Sequence, residues 1–275
     1  MMMAAMRKRQ KVVQERREAA KKRVWCDGEM ADGGPALAEG LKQRLEAEGL
    51  KPTISFLSSD KKSWILHCPS WHKLSKDEFK ELWDSHPTEY NEIMMHGRMV
   101  KIPRWQEAFG QSYTFSGSTA VARRDVPGPV ATCMARVNRL VTCFAFKMAL
   151  VNWYAPQHYL GPHHDDARQL VEASPIVSIT WGQTRTFRIK RNPKKECEGS
   201  KNASLDLRNG DLLLMSWCLN KTHKHEVTKL AKGRQVAAGG RINVTLRAFK
   251  ASLESHTGPT IKGEYGTKKK KKKAA

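Results

Sequence analysis

Hydrophobic and polar positions divide the chain into two kinds of territory. In the first half, apolar residues recur at helical spacing. Phe79, Leu82 and Trp83 mark one helix, opened by Ser75 with Glu78 three residues on as a capping box and closed before Pro87. Val130, Met134, Val137, Leu140, Val141 and Phe144 mark a longer one, predicted from about 129 to 148. Between them, residues 92–102 read as extended with Gly97 in a tight turn, and a short aromatic segment follows at 113–116. In the second half, the runs 150–154, 176–181, 186–189, 205–207, 212–216 and 241–249 each fit a short strand. Asn209-Gly210 predicts a hairpin between two of them. Helices gathered first and many short strands after them define an α+β class, a double-stranded β-helix (jelly-roll) core buttressed by N-terminal helices.

The ends of the chain have a different character. Residues 7–24 are rich in Arg, Lys, Gln, Glu and Ala but offer almost no apolar stripe, and residues 27–52 show little periodicity. The expected organisation is a basic, disordered arm and linker over 1–51, a folded domain over 52–250 and a basic, disordered tail over 251–275. A chain of 275 residues has room for one domain of about 200 residues plus such tails.

Charge then narrows the partners. The formal net charge is +22; residues 1–24 hold nine Lys/Arg against two Glu, and 268–273 are six lysines, so the body between them is basic too. A basic body suggests a polyanionic partner, nucleic acid more often than an anionic membrane surface. No run approaches the roughly 20 apolar residues that a membrane span needs. The six cysteines, at 26, 68, 133, 143, 197 and 218, form no CxxC pair, which fits reduced thiols in cytosol or nucleus. An Arg-rich start resembles an organellar transit peptide, but Glu15 and Glu18 speak against it, and nuclear targeting through the basic ends is the simpler expectation. A monomer is expected.

The stretch NWYAPQHYLGPHHDD, residues 152–166, carries candidate chemistry. His163 and Asp165 stand at i and i+2, on one side of an extended segment, so an imidazole and a carboxylate there can grip one metal ion. The best third ligand is His225 in THKHEV, with His223 two residues earlier as the alternative. Two histidines and a carboxylate with open positions is the arrangement of non-haem Fe(II) oxygenases. Far downstream, RINVTLR alternates Arg241, Asn243, Thr245 and Arg247 on one face with Ile242, Val244 and Leu246 on the other. Such a polar face commonly meets solvent. If it points inward, two arginines need anionic partners, and a dicarboxylate co-substrate would satisfy both. His158 and His67 read as satisfied structural histidines, and His164 as a residue pointing away from its two neighbours.

Taken together, Asn152-Trp153-Tyr154, His163-His164-Asp165, PIVSITWG from Pro175, His225 and the strand 241–247 resemble the AlkB family of 2-oxoglutarate and Fe(II)-dependent dioxygenases, over about 64–249. The resemblance implies His163, Asp165 and His225 as catalytic iron ligands, the last favoured over His223 by its distance from GDLLLM. It implies that Arg241, with Tyr154 and Asn243, holds the far carboxylate of 2-oxoglutarate, that Arg247 and Asn152 hold the end that chelates iron, and that Thr245 lies on the same co-substrate face.

PRWQEAFG followed by SYTFSG is similar to the nucleotide-recognition lid of the AlkB branch that repairs double-stranded DNA, placing a lid at about 91–117. It implies that Tyr113 and Phe115 line the pocket, Phe115 stacking on a flipped base, while Asp166 meets the base's Watson–Crick edge. An ordinary core aromatic is the competing reading for Phe115. Met94, Met95, His96, Gly97 and Arg98 lie where that branch carries a hairpin that fills the gap left by the base, and KRNPKKECEGSK from Lys190 where it grips the opposite strand. Ala167 beside the DD pair and the lack of an aromatic in the hairpin depart from that pattern. The implied activity is oxidative demethylation of N1-methyladenine and N3-methylcytosine in DNA, using O2 and 2-oxoglutarate and releasing formaldehyde, succinate and CO2. The alternatives are an RNA demethylase or hydroxylase of the same family and a non-catalytic nucleic-acid-binding protein.

Overall fold

The structure is a computed structural model and describes residues 33–250 apart from 96, 116–117 and 237–238. The expected basic arm up to residue 32, the tail from 251 and His96 lie outside the described residues.

The first element corrects the linker expected through residue 51. Helix α1 (Pro35–Ala47) places Leu37, Leu41 and Leu45 in the core. Their spacing of four aligns them on one face, and burying each contributes about 1.5–3 kcal/mol toward ordering a segment whose glycines, prolines and alanines read as a linker. After β1 (Thr53–Phe56) and β2 (Trp64–Cys68), α2 (Lys76–Asp84) forms as its capping box dictates. Ser75 Oγ accepts from the Glu78 N–H at 3.1 Å and the Glu78 carboxylate accepts from the Ser75 N–H at 2.8 Å.

Two hairpins then occupy the stretch where a lid is expected. In β3 (Glu92–Met95) and β4 (Arg98–Lys101), Gly97 supplies the φ of +77° that the tight turn needs. Strand β5 (Trp105–Phe109) separates them from the hairpin β6 (Tyr113–Phe115) and β7 (Ser118–Ala120), and the Ser118 hydroxyl donates to the Glu92 carbonyl at 2.8 Å. The short β8 (Ala122–Arg123) follows.

Helix α3 (Gly128–Leu140) stops eight residues before its predicted end. Val141 leaves helical geometry at φ −108° and ψ 75°. Asn138 closes the end, donating to the Met134 and Phe146 carbonyls and accepting from the Phe146 N–H at 2.8 Å. Phe146 opens β9 (Phe146–Tyr154), which is buried on both faces over most of its length and so shows a continuous apolar run rather than alternation.

The barrel strands are completed by β10 (Leu160–His163), β11 (Ile176–Gly182), β12 (Arg185–Arg191), β13 (Ala203–Leu207) and β14 (Asp211–Met215). Then come α4 (Trp217–Thr222), β15 (His223–Val227), α5 (Lys232–Gln235) and β16 (Arg241–Ala248). The major sheet runs β1-β2-β14-β11-β16-β9-β5-β8 and the minor sheet β10-β15-β12-β13, so the chain from β9 onward winds between two facing sheets as a jelly roll.

Asn209-Gly210 reverses the chain but does not make the hairpin expected of it. Strand β13 pairs with β12 in the minor sheet, whereas β14 pairs with β11 and β2 in the major one. Gly210 adopts φ +88° and donates its N–H to the Thr180 carbonyl at 2.7 Å, while Asn209 Oδ1 accepts from the Gly182 N–H. The dipeptide fixes a turn; the sheets on either side of it choose the partners.

Strand β16 lies in the middle of the major sheet, between β11 and β9. Ile242, Val244 and Leu246 face the core shared with α1 and α3. Arg241, Asn243, Thr245 and Arg247 therefore face the barrel interior, and all four are buried. The polar face does not meet solvent.

Candidate active site

The inward faces of four strands converge on one cavity of about 310 Å³. Strand β9 brings Asn152, β10 brings His163, β15 brings His225 and β16 its polar face, while Asp165 and Asp166 enter from the turn after β10.

His163 and His225 are direct cross-strand partners, with ring centroids 4.2 Å apart. Asp165 Oδ1 lies 3.5 Å from His163 Nε2 and 3.9 Å from His225 Nε2. One donor atom from each of the three falls within 4.8 Å of the others, the spacing that one ion can bridge. The His163 Nδ1–H donates to the Gly161 carbonyl at 3.0 Å, leaving the Nε2 lone pair toward Asp165. Burial, then the neighbouring His163, lowers His225 to about 3, so its imidazole stays neutral and able to ligate. Burial alone would raise the Asp165 carboxyl. The Arg247 guanidinium, donating through Nε at 2.9 Å and Nη2 at 2.8 Å to Oδ2, overrides that and with the histidines holds it well below the usual carboxylate range. One carboxylate oxygen is thus fixed to Arg247 and the other faces the histidines.

The second half of the cavity is cationic and incompletely satisfied. Arg241 donates from Nη2 to Thr180 Oγ1 at 3.0 Å, but its Nε and Nη1 are buried without partners, as is the Tyr154 hydroxyl beneath it. The Arg241 guanidinium lies 5.0 Å over the Tyr154 ring, and burial lowers it to about 10. Three orphaned groups around one charge fit a carboxylate, so these residues suit the far end of a dicarboxylate. Tyr154 does this from behind Arg241 and does not itself line the cavity. Asn243 donates to Ser178 Oγ at 2.7 Å and accepts from Thr245 Oγ1 at 3.1 Å, which braces the strand face between the two arginines.

Sequence reasoning missed Arg104, just before β5, and Gln106 on it. Both donate to Asn152 Oδ1, at 2.7 and 2.8 Å, so the Asn152 amide is held from the neighbouring strand. Their i, i+2 spacing within PRWQEAFG was the available signal. The Asp165–Arg247 pair was also out of reach, since the two residues are 82 positions apart.

The remaining histidines sort cleanly. His223 is buried at the start of β15, where its ring is taken up by Thr222 Oγ1 at 2.8 Å and the Lys201 carbonyl at 3.1 Å, and it belongs to no metal cluster among the described residues. His158 bonds Tyr90 and the Ala155 N–H, and His67 bonds Asp211, so both are structural. His164 turns from the triad to the Asn220 carbonyl and the Asn192 amide, the latter in the basic loop after β12.

At the mouth, Tyr113 stacks on Phe115 at 5.2 Å, and its hydroxyl accepts from the Asp166 N–H at 2.9 Å. Phe115 is half-buried and lines the cavity with Asp166. The Asp166 carboxylate is not free, because Arg168 clamps both oxygens through Nε and Nη2. Met95 ends β3, and Gly97 and Arg98 follow at the tip of the first hairpin, the latter two away from the cavity lining. Met94 and Met99 are exposed there, and Arg191, Lys194, Lys195 and Lys201 are exposed on the basic loop.

A double-stranded β-helix enclosing a His–Asp–His cluster beside a buried arginine with unpartnered donors defines an oxygenase of the 2-oxoglutarate type. The sequence profile of the 2OG-Fe(II) oxygenase superfamily matches residues 55–247, and the chain belongs to that superfamily, whose members use Fe(II), 2-oxoglutarate and O2. Within it the likeness is to the AlkB family. The chain is similar to DNA oxidative demethylase ALKBH2 of Bos taurus, 30% identical over 185 residues that cover 64% of this chain and 63% of that one. It is similar to the Homo sapiens protein of the same name, 30% identical over 165 residues, 56% of this chain and 60% of that one. Alpha-ketoglutarate-dependent dioxygenase alkB homolog 3 of Mus musculus is 28% identical over 151 residues, 53% of this chain and 51% of that one. The chain thus spans half to two thirds of the length of these relatives.

Proposed function

We propose that the protein is an oxidative demethylase of N-alkylated bases in nucleic acid, acting on N1-methyladenine and N3-methylcytosine in DNA. The observation that carries this reading is that one cavity is lined both by the His163–Asp165–His225 cluster and by Arg241, whose buried Nε and Nη1 lack partners, with the unpaired Tyr154 hydroxyl behind it. The three clustered residues would hold Fe(II), and Arg241 with Tyr154 would hold the far carboxylate of 2-oxoglutarate.

When bound, iron, 2-oxoglutarate and O2 supply hydroxylation of the N-methyl carbon, which then leaves as formaldehyde, with succinate and CO2 as the other products. The chain's own residues set the geometry. Arg247 keeps Asp165 ionised and aimed at the histidines, and Asn152, held by Arg104 and Gln106, presents its amide to the same space. A base must leave the duplex to reach so deep a site, and Phe115, backed by Tyr113, offers a ring face to replace part of its lost stacking. Asp166 would meet the Watson–Crick edge of a base that methylation has made cationic. The lysines after β12 would grip phosphates without reading sequence. We place this activity in the nucleus, with the protein acting as a monomer.

Formaldehyde release measured on methylated duplex DNA, single-stranded DNA and RNA, with Asp165→Ala as control, tests the reading. Turnover strongest on methylated DNA is the expected result; turnover confined to RNA would move the substrate class, and none on any arm would leave a binding protein.

A further inference from the structure

The strand ladder that positions the candidate metal cluster ends too early to hold all of it. His163 is the last residue of β10 and pairs with His225, whereas Asp165 lies beyond, in the turn leading toward β11. Yet Asp165 is only 6% exposed, so its backbone N–H and C=O cannot be left to water.

Both groups go to one side chain. The Asp165 N–H donates to Asn220 Oδ1 at 2.8 Å, and Asn220 Nδ2 donates to the Asp165 carbonyl at 3.0 Å. A primary amide offers a donor and an acceptor in one plane, as a peptide group does, so Asn220 extends the ladder by one residue without a strand. Asn220 is itself fixed. It is 3% exposed, on the turn of α4 that Ser216 anchors by accepting from the Leu219 and Trp64 N–H groups, both at 3.1 Å, and donating to the Lys62 carbonyl at 2.8 Å. The Asn220 backbone carbonyl also accepts from His164 Nδ1 at 2.5 Å, so two consecutive residues of the turn are tied to α4.

We infer that Asn220 is a positioning residue for the metal cluster, fixing the Asp165 backbone so that Oδ1 faces His163 and His225 while Oδ2 stays with Arg247. The inference rests on the metal-binding role proposed above. Arg247 restrains the carboxylate from its far oxygen and Asn220 restrains the main chain behind it. Removal of the second restraint leaves two buried backbone groups unpaired, and the turn relaxes to recover partners.

Mn(II), counted by loss of its free-ion paramagnetic resonance signal, serves as probe with no co-substrate or substrate present. Asn220→Ala removes both hydrogen bonds; Asn220→Asp keeps the shape and the acceptor but loses the donor. Both variants are expected to fold by circular dichroism and to bind Mn(II) about ten- to a hundredfold more weakly than wild type, the usual size of an outer-sphere effect. A merely structural role would lower the melting temperature of the metal-free protein and leave Mn(II) affinity alone. Affinity within about threefold of wild type in either folded variant overturns the inference. Wild type that binds Mn(II) no better than His225→Ala would instead overturn the metal-binding reading itself.

Discussion

The barrel interior and the lid are built by opposite strategies. Inside, the polar side chains stand on sheet strands or, for Asp165, just beyond one, and each is braced by another: Asp165 by Arg247, Asn152 by Arg104 and Gln106, Asn243 by Ser178 and Thr245. The expected lid consists of two-stranded hairpins with Met94 and Met99 exposed and a hydroxyl tie from Ser118 to the Glu92 carbonyl between them. An isolated hairpin is marginal by itself, whereas a central strand is held on both edges. Chemistry needs positions fixed to a fraction of an ångström, and selectivity needs surfaces that yield to a base. The two requirements are met by different parts of one chain, so substitutions in the barrel should affect rate and cofactors, and those in the lid should affect substrate binding.

Asp165→Ala breaks the barrel side most severely. It removes a candidate metal ligand and strands the Arg247 guanidinium, so turnover should fall to background. Removing one member of a buried pair also costs about 3–5 kcal/mol of stability, readable by urea unfolding. Were the variant as stable as wild type, the Arg247 brace would not be a structural element.

Arg241→Gln comes next. It deletes the charge over Tyr154, so the KM for 2-oxoglutarate should rise at least about 30-fold, the equivalent of some 2 kcal/mol for truncating a buried charged contact. Mn(II) affinity should not change, because Arg241 donates to Thr180 rather than to any of the three clustered residues. A loss of metal binding would show the two halves of the cavity to be one cooperative unit.

How far these regions were legible beforehand follows the same division. The alternation in 241–247 and the Ser75 capping box are local patterns that reappear in the structure where local chemistry put them, and His163 and Asp165 do meet, although the strand ends at His163 and Asp165 is held from outside it. What escaped depends on contacts distant in sequence. Asn209-Gly210 announces a reversal but not that its flanking strands join different sheets. The apolar rhythm through Val141 and Phe144 suits a helix, yet Asn138 and the start of β9 end it at Leu140. The Leu37–Leu41–Leu45 stripe was available in the sequence, but glycines around it and its position before the domain obscured it. Asn220 carries no local signature, because its role is defined by a turn 55 residues away.

On the lid side, Phe115→Ala tests whether the ring is a stacking platform or a core residue. Loss of one base–aromatic stack costs about 1–3 kcal/mol, so the KM for methylated oligonucleotide should rise about five- to 150-fold while 2-oxoglutarate KM stays put. If the variant instead unfolded with unchanged substrate KM, Phe115 would belong to the small core around Tyr113.

The smallest effect lies at the junction of the two regions. Asp166 faces the cavity, but Arg168 occupies its carboxylate and lowers its pKa, chiefly through their hydrogen bonds. Arg168 is largely exposed, so solvent screens the pair and a cationic base can displace it at little cost, whereas a neutral base has no charge to offer in exchange. Arg168→Gln should therefore lower the KM for N1-methyladenine by up to about fivefold and leave a neutral alkylated base unchanged. Asp166→Asn should abolish that difference. If Arg168→Gln shifts both substrates equally, Arg168 acts on phosphate or on lid stability and Asp166 does not read charge, and discrimination between bases would then rest on the fit against Phe115 alone.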